Sequence, residues 1–200
     1  MNTILRKNYF DLPVSKKEVL RYSGCKNATD EINELLDSAC KEAEGTVAFR
    51  VCYAEFPLKI EGSNCDFSFA KVNSSDLAKN LQGCKSAVIF AATIGLGFDR
   101  LIAKYSKVSA SKALIFQALG AERIEALCDE FCNDLALEKK EQGLCLKPRF
   151  SPGYGDLPLE FQKDIFRVLD CPRQIGLTLG DNLLMSPTKS VTAIVGISDR

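Results

Sequence analysis

The stretch Lys147-Pro-Arg-Phe-Ser-Pro-Gly-Tyr-Gly-Asp156 is the most informative part of this 200-residue chain. Arg149 precedes a loop rich in proline and glycine, and the sequence predicts a helix that starts near Pro158. An arginine offers a planar set of donors that suits a carboxylate, and glycines let a ligand approach the backbone. Tyr154 adds an apolar ring with a polar tip. The stretch therefore predicts a binding loop for a small polar molecule, with a plain turn as the alternative.

Composition indicates an ordinary globular domain. The chain has 26 basic and 26 acidic residues, so its formal charges cancel, and we expect neither a nucleic-acid nor a membrane-surface partner. No apolar run in the sequence approaches the roughly 18–20 residues that span a bilayer, and the first nine residues lack the apolar segment of a signal peptide. We therefore expect a single cytoplasmic unit over residues 1–200.

Nine cysteines and no histidine restrict the chemistry of the chain further. The cysteines form no C-x-x-C pair, which disfavours a zinc site or a disulfide framework and predicts reduced, buried thiols. Cys128 and Cys132 lie one helical turn apart, and a metal or redox role there is the less favoured alternative. Without histidine, a His-based triad or a His metal ligand is excluded. We expect no metal site in this chain.

The periodicity of apolar residues predicts an α+β fold. Helices and strands do not alternate strictly, which favours a mixed, mostly antiparallel twisted sheet with flanking helices over a doubly wound parallel sheet. The predicted helices cover residues 15–22, 30–44, 75–82, 98–105, 110–141 and 158–169. The predicted strands cover residues 47–53, 58–60, 66–70, 86–92, 144–146, 175–179, 183–185 and 190–195.

Two sites that contain glycine can each be interpreted in two ways. Thr93-Ile-Gly-Leu-Gly97 joins a predicted strand to a predicted helix, but Arg100 stands where a dinucleotide fingerprint needs its third glycine. A tight turn is the favoured interpretation, and a helix start that offers N–H groups to a ligand is the alternative. Gly120 lies inside the long predicted helix, where it costs about 1 kcal/mol relative to alanine. It indicates either close packing or a break at that point.

Acidic residues recur along the long predicted helix. They are predicted to form a solvated face. Two of them, Glu125 and Asp129, are four residues apart and share one side of the helix, so one of them could pair with a ligand ammonium group if that side lines a cleft. The acidic residues are Glu122, Glu125, Asp129 and Glu130.

The motif Arg149-Phe-Ser-Pro-Gly-Tyr154, with the helix after it, resembles the activation domain of vitamin B12-dependent methionine synthase. That family carries an Arg-x-x-x-Gly-Tyr motif. Further similarity lies in Thr93-Ile-Gly95, in Glu125-Ala-Leu-Cys128 and in the segments from Ile175 to Val191. The resemblance covers residues 85–195, whereas residues 1–80 match only loosely. It implies the fold of that activation domain.

The resemblance also implies a site for S-adenosylmethionine. Arg149 would hold the methionyl carboxylate, Glu125 would approach the amino end of the ligand, and Gly153 with Tyr154 would form the adjoining wall. No catalytic side chain is implied, because such a domain acts by positioning a methyl donor. The implied binding residues are Glu125, Arg149, Ser151, Pro152, Gly153 and Tyr154.

The function implied by the resemblance is reactivation of a cobalamin enzyme. A freestanding unit would bind S-adenosylmethionine and support the reductive remethylation of cob(II)alamin on a separate cobalamin-dependent methionine synthase. The cobalamin would be carried by that partner, and a flavodoxin-like protein would donate electrons. Any enzymatic activity would be that of the methyltransferase's reactivation component. The alternative is a non-catalytic docking module for a corrinoid protein that has lost S-adenosylmethionine binding, and another corrinoid methyltransferase is a further possible client.

Overall fold

A computed structural model describes residues 3–25 and 28–199. The helices of these residues are α1 Lys16–Tyr22, α2 Asp30–Ala43, α3 Ser75–Asn80, α4 Gly97–Tyr105, α5 Ala110–Glu141, α6 Phe161–Leu169 and α7 Cys171–Ile175. Their strands are β1 Leu5–Tyr9, β2 Phe49–Pro57, β3 Lys59–Glu61, β4 Asn64–Asp66, β5 Lys71–Asn73, β6 Cys84–Thr93, β7 Leu144–Leu146, β8 Thr178–Leu179, β9 Met185–Ser186 and β10 Ser190–Asp199.

One five-stranded sheet organises the molecule, with the strand order β1-β2-β6-β10-β7. Every pairing in it is antiparallel, which confirms the predicted α+β fold. The central strand β6 is buried from Ala87 to Thr93, because it has a neighbour on each edge and helices on each face. Phe90 marks the register, since it lies opposite Tyr53 on β2 and Ala193 on β10.

The sheet separates two hydrophobic cores. Alternate side chains of a strand point to opposite faces, so Val88 and Phe90 enter the core under α2, α4 and α5. Ala87 and Ile89 enter the core under α3, α6 and α7. The continuous apolar run in β6 follows from this arrangement, because both of its faces are covered.

Helix α5 runs unbroken through Gly120. A Cβ at this position would lie 3.1 Å from Phe98 Cδ1 and 2.9 Å from Lys189 Cε. The close-packing alternative is therefore confirmed, because Phe98 of α4 and Lys189, just before β10, approach the helix where it has no side chain. None of the helices in the described part of the chain has the length and apolar character needed to cross a membrane.

The strand predicted over residues 66–70 is wrong. The chain turns there, with Ser68 at a φ of 68°. The Ser68 N–H donates to Asp66 Oδ1 at 2.9 Å, and the Phe67 N–H donates to the Ala70 carbonyl at 3.0 Å. Phe67 and Phe69 both join an aromatic cluster with Phe161. A turn that packs the buried Phe67 and the half-buried Phe69 into this cluster thus produced the period of two that predicted a strand.

The predicted strand over residues 175–179 is only partly correct. Its first residue ends the short helix α7, which closes at Gly176 with a φ of 72°. Only Thr178–Leu179 pairs with a strand, β9. The sequence analysis missed α7 because a five-residue helix is too short to show a period. It missed β1 as well, because β1 is an edge strand with half-exposed and exposed side chains.

Candidate functional site

Phe150 anchors the Arg149 loop to the sheet. Its backbone N–H and carbonyl both bond to Ile194 of β10, at 2.9 and 2.8 Å, so the chain continues the edge begun by β7. The Phe150 ring is buried in the core under α3, α6 and α7. Since neighbouring residues of an extended chain point to opposite faces, Arg149 is directed towards α5.

Backbone conformation and close packing both require glycine at positions 153 and 155 of the loop. Gly153 and Gly155 adopt φ values of 85° and 54°, a left-handed conformation in which glycine carries no steric penalty. The Gly153 N–H donates to the Leu157 carbonyl at 2.9 Å. A Cβ on Gly155 would lie 2.4 Å from Asp76 Oδ2. The loop is therefore a tight turn packed against α3, and this turn presents Arg149 from a fixed backbone.

Asp156 fastens the end of the loop to the start of α3. Its Oδ1 accepts from the Ser74 hydroxyl, its Oδ2 accepts from the Ser75 N–H at 2.7 Å, and Oδ1 also accepts from the Asp76 N–H at 3.2 Å. These bonds, with that from Ser74 the strongest, hold the pKa of Asp156 below its ordinary value. The sequence placed Asp156 at the end of the motif but did not predict this role.

Arg149 forms an ion-pair cluster with two residues of α5. Its Nη2 lies 3.2 Å from Glu125 Oε2 and 2.6 Å from Asp129 Oδ1. The structure thus brings together Arg149 and Glu125, the two residues assigned to the two ends of one ligand. It also shows that these acids do not simply form a solvated face, since both of them contact the arginine.

An acidic groove of about 310 Å³ opens beside this cluster, between α5 and the segment from Pro13 to Tyr22. Glu18, Glu125 and Asp129 all contribute to its walls. Arg21 lines the groove as well and pairs with Glu18 at 2.7 Å. The carboxylates of Glu125 and Asp129 still leave the groove with more negative than positive charge, which favours a cationic group, such as an ammonium or a sulfonium. The groove begins where Arg149 meets α5, so one ligand could contact both charges.

A buried ion pair under the groove overturns the prediction that Glu122 is solvated. Glu122 is 4% exposed, and it accepts from Arg123 Nε and Nη2 at 2.5 and 2.6 Å. Arg123 also donates to the carbonyls of Leu12 and Pro13, and the Ser15 N–H donates to Glu122 at 2.9 Å. This network holds the wall of the groove against α5. Nothing in the sequence pattern distinguished these two charges from exposed ones.

The remaining predicted site residues surround the loop. Tyr154 is 70% exposed, and its ring stands edge-on to Phe150 at a centroid distance of 5.5 Å. Ser151 is half-buried and Pro152 is buried. The described residues that line the acidic groove include Glu125 but not Tyr154. The structure therefore places Tyr154 at the exposed tip of the loop, where a ligand or a partner protein could cover it.

The thiols beneath Arg149 are not reactive in this arrangement. Burial raises the pKa of Cys128 and raises that of Cys132 to about 11, so both are protonated at neutral pH. All nine cysteines are free. In residues 3–25 and 28–199, no group of three or more potential ligands among His, Cys, Asp and Glu is arranged to hold a metal ion.

The Thr93–Gly97 segment forms the predicted tight turn. Gly95 has a φ of 78°, and a Cβ on Gly97 would lie 2.3 Å from the Thr46 carbonyl oxygen. Close packing against residues 45–48 explains why glycine stands at position 97. Helix α4 then begins at Gly97 without a side-chain cap.

Comparison with solved structures finds this fold in the crystal structure of the MetH reactivation domain bound to AdoHcy. The two structures agree with a TM-score of 0.66 over 97% of this chain and 78% of the other, at 15% sequence identity. The fold implied by the resemblance of the Arg149 motif is therefore confirmed. No family model and no curated protein matches the chain. The roles assigned to Arg149 and Glu125 remain predictions.

Proposed function

We propose that the chain is an S-adenosylmethionine-binding reactivation component for a separate cobalamin-dependent methionine synthase. It would support the reductive remethylation of cob(II)alamin, with a flavodoxin-like protein as electron donor. The observation that carries this proposal is the cluster of Arg149, Glu125 and Asp129 at the rim of an acidic groove. The shared fold adds support, because the similar domain was crystallised with AdoHcy.

The charges of the cluster complement those of the ligand. S-adenosylmethionine carries a carboxylate, an ammonium and a sulfonium, so its net charge is positive. One guanidinium and two carboxylates give the cluster a net negative charge. Both ion pairs of Arg149 use Nη2, so Nε and Nη1 remain to donate to the ligand carboxylate. The ligand ammonium would then lie against Glu125 and Asp129.

The chain would contribute positioning rather than acid–base chemistry. Arg149 and the two carboxylates would fix the methionyl end, and this would orient the methyl group towards a corrinoid held by the partner protein. The corrinoid would supply the metal that accepts the methyl group. The loop backbone is suited to this task, because Phe150 and Asp156 fasten it to β10 and to α3.

Calorimetric titration with S-adenosylmethionine tests the proposal directly. We expect the native chain to bind and Arg149→Ala to bind at least about tenfold more weakly, a loss of about 1.4 kcal/mol. Glu125→Gln should also weaken binding, because it removes a charge that faces the ammonium. Arg173→Ala is the matched control, since Arg173 has an 85% exposed side chain on α7. Absence of binding by the native chain, both alone and with a corrinoid partner, would contradict the proposal.

One observation favours the second candidate, a docking module for a corrinoid protein without ligand binding. Arg149 already has two carboxylate partners, so its charge is compensated without any ligand. Reactivation of an oxidised methionine synthase separates the two candidates. If Arg149→Ala restores turnover as well as the native chain does, docking alone accounts for the activity. If Arg149→Ala fails while the folded variant still binds the synthase, the ligand-binding function is supported.

A further inference from the structure

A second cleft, of about 530 Å³, opens at the edge of the main sheet where β2 and β10 begin and β6 ends. It lies between the turn that precedes β2, the β6–α4 turn, the C-terminus of α7 and the residues that lead into β10. Its volume falls within the range of roughly 300–1,000 Å³ typical of small-molecule sites. The walls differ from those of the acidic groove, since none of the described residues that line it is acidic.

Two arginines face this cleft. Arg50, near the start of β2, and Arg100, in the first turns of α4, both contribute to its walls. Arg50 Nη1 lies 3.8 Å from the position that a Cβ on Gly176 would occupy, so the guanidinium extends towards α7. In the described part of the chain neither guanidinium group has an ion-pair or hydrogen-bond partner. This sets them apart from Arg123 and Arg149, whose charges are compensated by carboxylates.

The one carboxylate next to Arg100 in sequence is already engaged. Asp99 accepts from the Thr188 N–H at 3.2 Å and from the Thr188 hydroxyl, which directs its charge to the segment before β10. The backbone adds positive potential to the cleft, since α4 begins there without a side-chain cap. Uncapped N–H groups at a helix start keep their capacity to bind an anion. The positive charge of the cleft thus comes mainly from the two guanidinium groups, and the start of α4 adds to it.

We propose that this arginine cleft binds the phosphate group of a small phosphorylated metabolite. A phosphate monoester carries a charge of about −1.5 to −2 at neutral pH, which matches two guanidinium groups without a neighbouring acid. Guanidinium forks bind phosphate oxygens in a bidentate manner. The remaining volume, beside Leu96, Leu101 and Pro187, offers apolar surface to the organic part of such a ligand. This inference is independent of S-adenosylmethionine binding, because it uses neither Arg149 nor the acidic groove.

The inference is tested by titrating the full chain with adenosine monophosphate and with inorganic phosphate. Calorimetry and NMR of the arginine side chains measure the binding. We expect adenosine monophosphate to bind and to shift the Nε–H signals of Arg50 and Arg100. Arg50→Ala and Arg100→Ala should each weaken binding at least about tenfold. Both side chains are exposed, so the variants should keep the native thermal transition. Arg6→Ala, an exposed arginine on the edge strand β1, is the matched control and should bind normally.

The two probes distinguish the sources of the phosphate. Tighter binding of adenosine monophosphate supports a phosphorylated metabolite, and equal binding of both probes supports a site for the phosphate group itself. The inference is overturned if neither probe binds at millimolar concentration. It is also overturned if the Arg50→Ala/Arg100→Ala double variant, shown to be folded by its circular dichroism, binds as the native chain does. A failure of S-adenosylmethionine to bind leaves every one of these results unaffected.

Discussion

At the scale of single residues, the two aromatic rings of the loop, Phe150 and Tyr154, differ in burial and should therefore differ in their contribution to stability. Phe150 is 7% exposed and packs in the core, whereas Tyr154 is 70% exposed. We expect Phe150→Ala to lower the free energy of unfolding by about 3–5 kcal/mol. Tyr154→Ala should lower it by less than about 1 kcal/mol, because it removes mainly the edge-on ring contact. Urea unfolding of the two variants checks this, and similar losses would show that the loop is not anchored through Phe150.

Gly97 offers a second test at this scale, because its close neighbour is backbone. An added Cβ would lie 2.3 Å from the Thr46 carbonyl oxygen, and a carbonyl cannot turn away as a flexible side chain can. We expect Gly97→Ala to lower the free energy of unfolding by about 1–3 kcal/mol, the usual cost of overpacking. Leu96→Ala in the same turn is the control, and its effect should be smaller because Leu96 is exposed. Urea denaturation measures both, and an unchanged midpoint for Gly97→Ala would contradict the packing described here.

The sequence predicted only part of the candidate site, for a physical reason. Arg149 and Glu125 could be found because the motif and the helical spacing are local features. The pairing of Glu122 with Arg123 could not, because adjacent residues on a helix usually point in different directions. Both side chains are turned inwards by the carbonyls of Leu12 and Pro13 and by the Ser15 N–H. Hydrogen-bond partners that lie more than a hundred residues away in the sequence do not affect the local periodicity from which burial is predicted.

At the scale of elements, Glu42 links three helices through its carboxylate. It lies near the end of α2 and accepts from Lys104 of α4 at 2.8 Å, and Lys112 of α5 lies 2.7 Å away. The Tyr105 hydroxyl donates to it as well. The bonds from Lys104 and Lys112 hold the pKa of Glu42 at about 2, below its ordinary value of 4.5. The ionised carboxylate therefore favours the folded state.

The lowered pKa of Glu42 predicts a pH dependence of stability. The contribution of Glu42 is fully present above pH 4.5, and it is lost as the pH falls towards 2, because the unfolded chain then binds the proton first. We expect Glu42→Gln to be less stable than the native chain at pH 7 by up to about 1 kcal/mol, since the side chains are partly exposed. The difference should vanish near pH 2. Urea unfolding across this range checks it, and a difference that persists undiminished at pH 2 would contradict this role of Glu42.

Local periodicity predicted the longest element most accurately. Helix α5 spans 32 residues and was found with its observed ends, because several turns of apolar residues repeat the helical period. The five-residue helix α7 was not found, and only the last two residues of the strand predicted over residues 175–179 form β8, since packing against β2, β6 and β9 positions these short segments. The turn over residues 66–70 shows the same limit, because Phe67 and Phe69 both pack into one aromatic cluster and give the period of two that is typical of a strand.

At the scale of the whole molecule, one antiparallel sheet supports two separate candidate binding surfaces. The acidic groove lies on the α5 side, where Arg149 projects from the edge of the sheet. The arginine cleft lies at the strand ends, against α4 and α7. The opposite charges of these surfaces explain why the net charge of zero gave no indication of either. Composition averages over the surface, whereas binding depends on the local arrangement of charge.

Ligand binding to the acidic groove should appear as a change in the stability of the entire fold. A ligand that binds only the folded state at a hundred times its Kd adds about 2.7 kcal/mol. For a chain of this size, this corresponds to a rise in Tm of roughly 5–10 °C.

S-adenosylhomocysteine lacks the positive sulfonium, so it should give a smaller rise in Tm than S-adenosylmethionine at equal concentration. The difference between the two rises should narrow as salt screens the carboxylates. Differential scanning calorimetry measures these shifts. Arg149→Ala should reduce the rise by at least about half for both compounds, since tenfold weaker binding lowers the added stability from about 2.7 to about 1.4 kcal/mol, and Arg173→Ala should preserve it. Equal shifts for the two compounds at low salt would mean that the carboxylates of the groove do not stabilise the sulfonium charge.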